Sequence, residues 1–253
     1  MAEILLVFGS DSDAKIYEGI AEALRQENIK FELRICSAHR TPKELEKIIA
    51  ATNARAIVAG AGLSAALPGA IAALTTKPVI GIPIASNYNG LDSLLSIHQM
   101  PPGIPVLGMG INSNYNEISK ALRKFESIAV VGSNEKAEAL LKEFGINYKK
   151  ADELDKEDEK KIYIAASDLS SAVETGNALA IFIPSAENAQ NLLQFSNKGF
   201  WVGLNNGKNA ALAAIQLLNS DGRFDNALSA YRGQAKRKVL EADANESKRM
   251  EVQ

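Results

Sequence analysis

Apolar positions follow two different periods along this chain. Short runs rich in Val, Ile and Ala recur at "ILLVFG" (4–9), "FELRICS" (31–37), "RAIVAGAG" (55–62), "PVIGIPI" (78–84) and "IPVLGMGI" (104–111). Runs of this length and composition predict strands covered on both faces. Between them the apolar residues return every three or four positions. Ile16, Ile20 and Leu24 form one stripe of "AKIYEGIAEALRQEN", and "SAALPGAIAALTT", "LDSLLSIHQ" and "YNEISKALRKF" follow suit. These segments predict helices. Thr41-Pro42-Lys43-Glu44 has the form of a capping box with proline at the first helical position, which predicts a helix from Pro42 to about Thr52.

Strand and helix in alternation predict a doubly wound α/β domain with a parallel sheet, ending near Phe125. Right-handed crossovers then bring the strand C-termini to one edge of the sheet, with Gly9-Ser10, Ser37-Ala38-His39 and Ala59-Gly60 among them. Ligands of such folds bind at that edge.

After Phe125 the pattern restarts. "SIAVVGS" (127–133) echoes "ILLVFGS" (4–10), Leu169-Ser170-Ser171-Ala172 echoes Leu63-Ser64-Ala65-Ala66, "LAIFIPSAEN" echoes "PVIGIPIASN", and "LNNGKNAALAAIQLL" echoes "GINSNYNEISKAL". The spacing between matched residues shrinks from 123 (Gly9 to Gly132) to 93 (Asn116 to Asn209), so the second copy is about 30 residues shorter. Most of the loss falls where "ICSAHRTPKEL" would lie. The expected organisation is a functional domain over 1–125, a shortened repeat over 126–220 and a C-terminal helical arm over 221–253. That arm begins with apolar Phe224, Leu228 and Tyr231 and then turns strongly charged, which suits either a surface helix with a frayed tail or an arm packed on a neighbouring subunit.

Composition narrows the choice of function. With 253 residues, 46% of them hydrophobic, the chain has material for a sizeable core, and a net charge of −2 gives no general attraction for nucleic acid or an anionic membrane. No apolar stretch approaches the roughly 18 residues needed to span a bilayer, and the first strand begins directly after the start, so neither a membrane protein nor an exported one is expected. Cys36 is the only cysteine, which removes internal disulfides and multi-cysteine zinc sites and suits a cytoplasmic protein.

Candidate chemistry gathers at the expected ligand edge. "GSDSDA" (9–14) puts Ser10, Asp11, Ser12 and Asp13 where a strand ends and a helix begins, so it suits an anion such as phosphate, with a plain N-cap as the alternative. It has the spacing of neither a dinucleotide fingerprint nor a P-loop. His39 follows Ser37 and Ala38 in a strand-to-helix loop, where an imidazole can both give and take a proton, with a purely structural histidine as the alternative, and Arg40 beside it suits a phosphate or carboxylate. His98, the second histidine, ends an apolar helix and reads as structural, and "MPPGIP" is a rigid turn that suits either a site wall or a plain connector. The two histidines lie 59 positions apart and offer no metal-ligand spacing.

Together, "GSDSD", "SAHRTP", "AGAGLSAALPGAIAA", "TTKPVIGIPI" and "GLDSLLSIHQMPPGIPV", in this order over residues 4 to about 122, resemble the N5-carboxyaminoimidazole ribonucleotide mutase family, the catalytic subunit of phosphoribosylaminoimidazole carboxylase. "GKNAALAAIQLL" and "LSAYRGQAKRKVLE" resemble the end of the same family's chain. The resemblance implies a flavodoxin-like three-layer fold, tandemly repeated here, and a carboxylate moved from the exocyclic nitrogen of an aminoimidazole ribonucleotide to its ring carbon without metal or organic cofactor. It implies that His39 shuttles the proton, that Ser10, Asp13 and Arg40 hold the ribonucleotide, and that the small-residue run from Ala59 through Gly60, Ala61 and Gly62 to Leu63 lets the backbone approach the planar ring. It further implies an oligomer with sites between subunits, which two lobes per chain would reach as a homotetramer. Bacterial-type members carry a histidine before the Leu-Pro-Gly of the small-residue loop, where this chain has Ala66. Compensation by His98 or by a second-repeat residue is left open. Animal-type members, which carboxylate aminoimidazole ribonucleotide directly with CO2, carry lysine after the histidine, where this chain has Arg40.

Overall fold

A computed structural model of the chain describes residues 2–111, 113–185 and 187–251. In chain order the first half consists of β1 (Ile4–Phe8), α1 (Ala14–Gln26), β2 (Phe31–Ile35), α2 (Pro42–Ala51), β3 (Ala56–Ala61), α3 (Leu67–Leu74), β4 (Val79–Pro83), α4 (Leu91–His98), β5 (Leu107–Gly108) and α5 (Glu117–Lys120). The second half consists of β6 (Ser127–Val131), α6 (Glu135–Glu143), β7 (Tyr148–Ala151), β8 (Lys161–Ser167), β9 (Leu179–Pro184), α7 (Ala189–Phe195), β10 (Phe200–Trp201) and α8 (Gly207–Leu218), followed by the long α9 (Asp225–Glu251).

All ten strands form one sheet, in the order β2-β1-β3-β4-β5-β10-β9-β8-β6-β7. Every neighbouring pair is parallel except β5 and β10. The first half therefore has the 2-1-3-4-5 order of a flavodoxin-like fold, and the chain is an α/β three-layer sandwich. Read from its own end, the second half has the same order. The two halves meet where Trp201 pairs with Gly108, residues 93 positions apart like the Asn116–Asn209 pair. The crossing is reciprocal: Gly110 packs on the Ser196 carbonyl and Gly203 on that of His98, so each half seats a glycine on the other's backbone. Because the strands reverse at this seam, the C-terminal strand ends of the two halves open toward opposite edges.

One layer, around Ile4, Leu6, Phe8, Ile128, Val130 and Ile181, carries α1, α5, α6 and α8. Helix α8 lies in its middle, and its alanines bring it close to the sheet with nearly every residue buried. Helices α2, α3 and the base of α4 cover the opposite face of the first half. On the second half that face carries α7 and irregular chain: the β7–β8 connection and residues 168–178 form no helix, and Leu154, Leu169 and Val173 pack there instead. Among the described residues the second half thus has no helices in the places that α2 and α3 take in the first.

Polar contacts tie the halves together. Buried Lys120 donates to Glu117 (2.8 Å) and to the carbonyls of Gly176 (2.7 Å) and Ala178 (3.3 Å). Buried Asn209 accepts from the Gly103 N–H at 2.8 Å and donates to the Pro101 carbonyl at 3.0 Å, so the second half fixes the "MPPGIP" turn. The first turns of α9 also rest on both halves: Leu228 is buried, Tyr231 packs on Phe144 at 5.7 Å between ring centroids, and Arg232 donates to the Thr75 carbonyl. From Lys236 to Met250 the helix is exposed.

Several expectations are corrected. Helix α2 begins at Pro42, yet the capping box does not form: Thr41 Oγ1 accepts from the Ser37 N–H (3.0 Å), and Glu44 pairs with Lys47 (2.7 Å). The helix expected over 115–125 is a single turn, because Lys120 and Arg123 are drawn onto carbonyls of the 176–178 loop. Strand β2 is exposed rather than buried on both faces, since it is an edge strand.

Candidate active site

At the C-terminal ends of β1, β2, β3 and β4 the first half opens into a cleft of about 600 Å³. Each wall is the loop that leaves one strand, as the crossover rule requires.

The β1 loop supplies Gly9, Ser10, Ser12 and Asp13. Here the chain makes a single 3-10 turn over Asp11–Asp13 before α1, and Ser10 caps it by accepting from the Ser12 N–H (3.2 Å) and the Ser12 hydroxyl (2.8 Å). The Asp13 carboxyl is pushed above its ordinary range by burial and by the charge of Asp11, with the Ser12 hydroxyl opposing. Asp11 does not line the cleft.

The β2 loop supplies Ser37, Ala38, His39 and Arg40. Thr41 braces this turn: its N–H donates to the Ser37 carbonyl at 2.9 Å, and its hydroxyl lies 3.3 Å from the buried Cys36 thiol. Arg40 donates one guanidinium N–H to the Gly9 carbonyl at 2.7 Å, which locks the β1 and β2 loops together. The rest of the guanidinium keeps its donors for a ligand. His39 stands exposed at the mouth.

The β3 loop supplies Ala61, Gly62, Leu63 and Ser64. Ser64 takes a left-handed conformation (φ +48°), which turns the chain into α3 immediately after Ala66. Gly60 does not line the cleft: a Cβ there would lie 2.1 Å from the Phe8 ring, so this glycine makes room for the core. The β4 loop adds Ile84, Ala85 and Ser86, and Leu67 closes the floor. Nothing in the sequence marks these four, or Ser64, as site residues, although the crossover rule that places the other loops applies equally to "IPIAS".

His98 does not reach the cleft and offers no replacement for a histidine at Ala66. It is 1% exposed in the seam, with Nδ1 donating to the Leu94 carbonyl at 2.6 Å and Nε2 buried without a partner against Gly108. Burial holds its pKa down to about 4, against the upward pull of the Leu94 bond.

Chemically, the cleft joins a guanidinium, a ring of hydroxyls, one carboxyl group and an exposed imidazole above a small apolar floor. That set suits an anionic, hydroxyl-bearing ligand with a planar part, and proton transfer at the mouth. Among the described residues no group of three or more His, Cys, Asp or Glu is placed to hold a metal ion, and no helix is long and apolar enough to cross a membrane.

Fold and cleft define a flavodoxin-like α/β protein with a small-molecule site at the switch of its strand order. Residues 3–144 match the family model described as AIR carboxylase, and the chain belongs to that family. It is 50% identical over 102 residues to the N5-carboxyaminoimidazole ribonucleotide mutase of Methanocaldococcus jannaschii, a match covering 40% of this chain and 65% of that protein. The mutase of Pyrococcus abyssi is 49% identical over 109 residues, covering 42% of this chain and 63% of that one. The chain thus spans less than two thirds of these relatives' lengths. Treponema denticola PurE, a solved structure, aligns with 27% identity and a TM-score of 0.43, covering 46% of this chain and 77% of that one.

Proposed function

We propose that this chain converts N5-carboxyaminoimidazole ribonucleotide to 4-carboxy-5-aminoimidazole ribonucleotide, a step of purine biosynthesis, as an intramolecular carboxylate transfer. The observation that carries the reading is His39 beside Arg40 at the mouth of a cleft whose other walls are the family's "GSDSD" and small-residue segments. In this mechanism protonated His39 gives its proton to the exocyclic nitrogen as the N–C bond breaks, leaving CO2 and the amine. The ring carbon then captures CO2, and His39 removes the proton from that carbon, which restores the starting state. Arg40, Ser10, Ser12 and Asp13 hold the phosphate and ribose, while Ser37 and Ala38 fix the turn that presents His39. Ala61, Gly62 and Leu63 shield the CO2 from water. No cofactor takes part.

The common strand order of the halves and the reciprocal glycine contacts support reading residues 126–220 as a decayed duplicate of 1–125, with 221–253 as an arm that rests on both. It has no counterpart of His39, so one site per chain works. Four such chains supply eight lobes as a cytoplasmic homotetramer.

Turnover of N5-carboxyaminoimidazole ribonucleotide by the purified chain, abolished in His39→Asn with binding retained, is the expected result. Turnover only of aminoimidazole ribonucleotide with bicarbonate would replace the reading with direct carboxylation, and turnover of neither would leave a non-catalytic ribonucleotide-binding subunit. Light scattering at the mass of one 27.1 kDa chain would overturn the tetramer.

A further inference from the structure

The two outer strands of the sheet are built differently. β7, at one end, carries adjacent exposed lysines, Lys149 and Lys150, the kind of charge that keeps an open edge from pairing. β2, at the other end, has no lysine or proline in its five residues, Phe-Glu-Leu-Arg-Ile, and exposes Leu33 (37%) and Ile35 (47%).

Its backbone is also free on the outer side. The Lys30 carbonyl accepts from Ile4 N–H and the Cys36 N–H donates to the Phe8 carbonyl, so even-numbered residues bond to β1. By the alternation of a strand, Phe31, Leu33 and Ile35 direct N–H and C=O groups outward.

The side chains of β2 are self-complementary about Leu33. When a second β2 is laid antiparallel on this edge with Leu33 opposite Leu33, Glu32 falls opposite Arg34 and Phe31 opposite Ile35, on both sides of the axis. The apolar residues share the face of Ile4, Leu6 and Phe8, with which they are in register. Glu32 and Arg34, already 3.3 Å apart within the chain, share the other face. A two-fold interface needs this property: each residue must suit its own mate in the copy.

We propose that two copies of this chain dimerise through β2, antiparallel and centred on Leu33, joining their sheets into one. Six backbone hydrogen bonds form, two between the Leu33 residues and four between the Phe31–Ile35 pairs. Since Ile35 leads directly into Ser37-Ala38-His39, the interface borders both active-site loops. The inference rests on the strand alone and stands whatever reaction the cleft performs.

Charge reversal and its rescue test it, with mass by light scattering as the readout and circular dichroism to verify folding. Wild type is expected as an even-numbered assembly, at twice 27.1 kDa or a multiple of that. Glu32→Arg and Arg34→Glu each place like charges across the axis, and each should halve the mass. The double variant Glu32→Arg/Arg34→Glu restores opposite charges and should restore the mass. In parallel, Leu33→Cys should form a disulfide-linked dimer on mild oxidation, since residues opposed in this way lie within disulfide reach. A monomeric wild type, masses unchanged by both single reversals, or no cross-link from Leu33→Cys would overturn it.

Discussion

Acidification isolates the contribution of one residue, His98, to the seam between the halves. Its ring is fully buried, Nδ1 donates to Leu94, and Nε2 faces Gly108 with no partner, so the neutral imidazole fits and the protonated one does not. Above pH 6.5 folded and unfolded chains both carry it neutral. Between 6.5 and about 4 the unfolded chain takes up a proton that the folded chain refuses, and stability falls. A gap of this width, at about 1.4 kcal/mol per pH unit, corresponds to roughly 3 kcal/mol lost by pH 4. Carboxylates titrate nearby, so the measurement is a difference. Urea unfolding of wild type and His98→Asn from pH 7.5 to 4 should show the variant less stable at neutral pH and the gap closing as pH falls. Parallel pH dependences would refute the reasoning.

Three further outcomes follow from the geometry. Lys120→Met leaves Glu117 as an uncompensated buried charge, since its Oε2 already lacks a partner, and should cost about 3–5 kcal/mol in urea unfolding; Lys120→Met/Glu117→Gln should recover part of that. Gly110→Ala sets a methyl 2.3 Å from the Ser196 carbonyl oxygen, a backbone atom with little freedom to retreat, and should lower stability by about 1–3 kcal/mol while Gly132→Ala, open on the Cβ side but at φ +66°, costs less. Arg40→Lys loses the planar fork and the bond to Gly9; steady-state kinetics should show KM raised about tenfold or more with a smaller change in kcat.

The sequence is most readable where burial is symmetric. β1, β3 and β4 are covered on both faces, so their composition alone marks them. β2 reads as another such strand because Phe31, Leu33 and Ile35 look like core, and only the strand order reveals the edge. The period of "YNEISKALRKF" suggests a long helix, but contacts from residues over fifty positions away, to Gly176 and Asn177, stop it after one turn. In the site, Ser10, Asp13, His39 and Arg40 were legible because loop chemistry stands out against apolar strands. Gly60 was not: a glycine that admits Phe8 and one that admits a ligand look the same until a side chain is found beside it.

The pairing of Gly108 with Trp201 makes the chain's architecture hard to reverse. At matching positions one half has no side chain and the other has the largest, both on the sheet face where His98, Leu94 and Phe182 fill the space between. Two copies of the first half meeting here would leave a hole, and two of the second would collide. Each half is shaped to the other at this point, so neither could pair with its own copy here without rebuilding the seam.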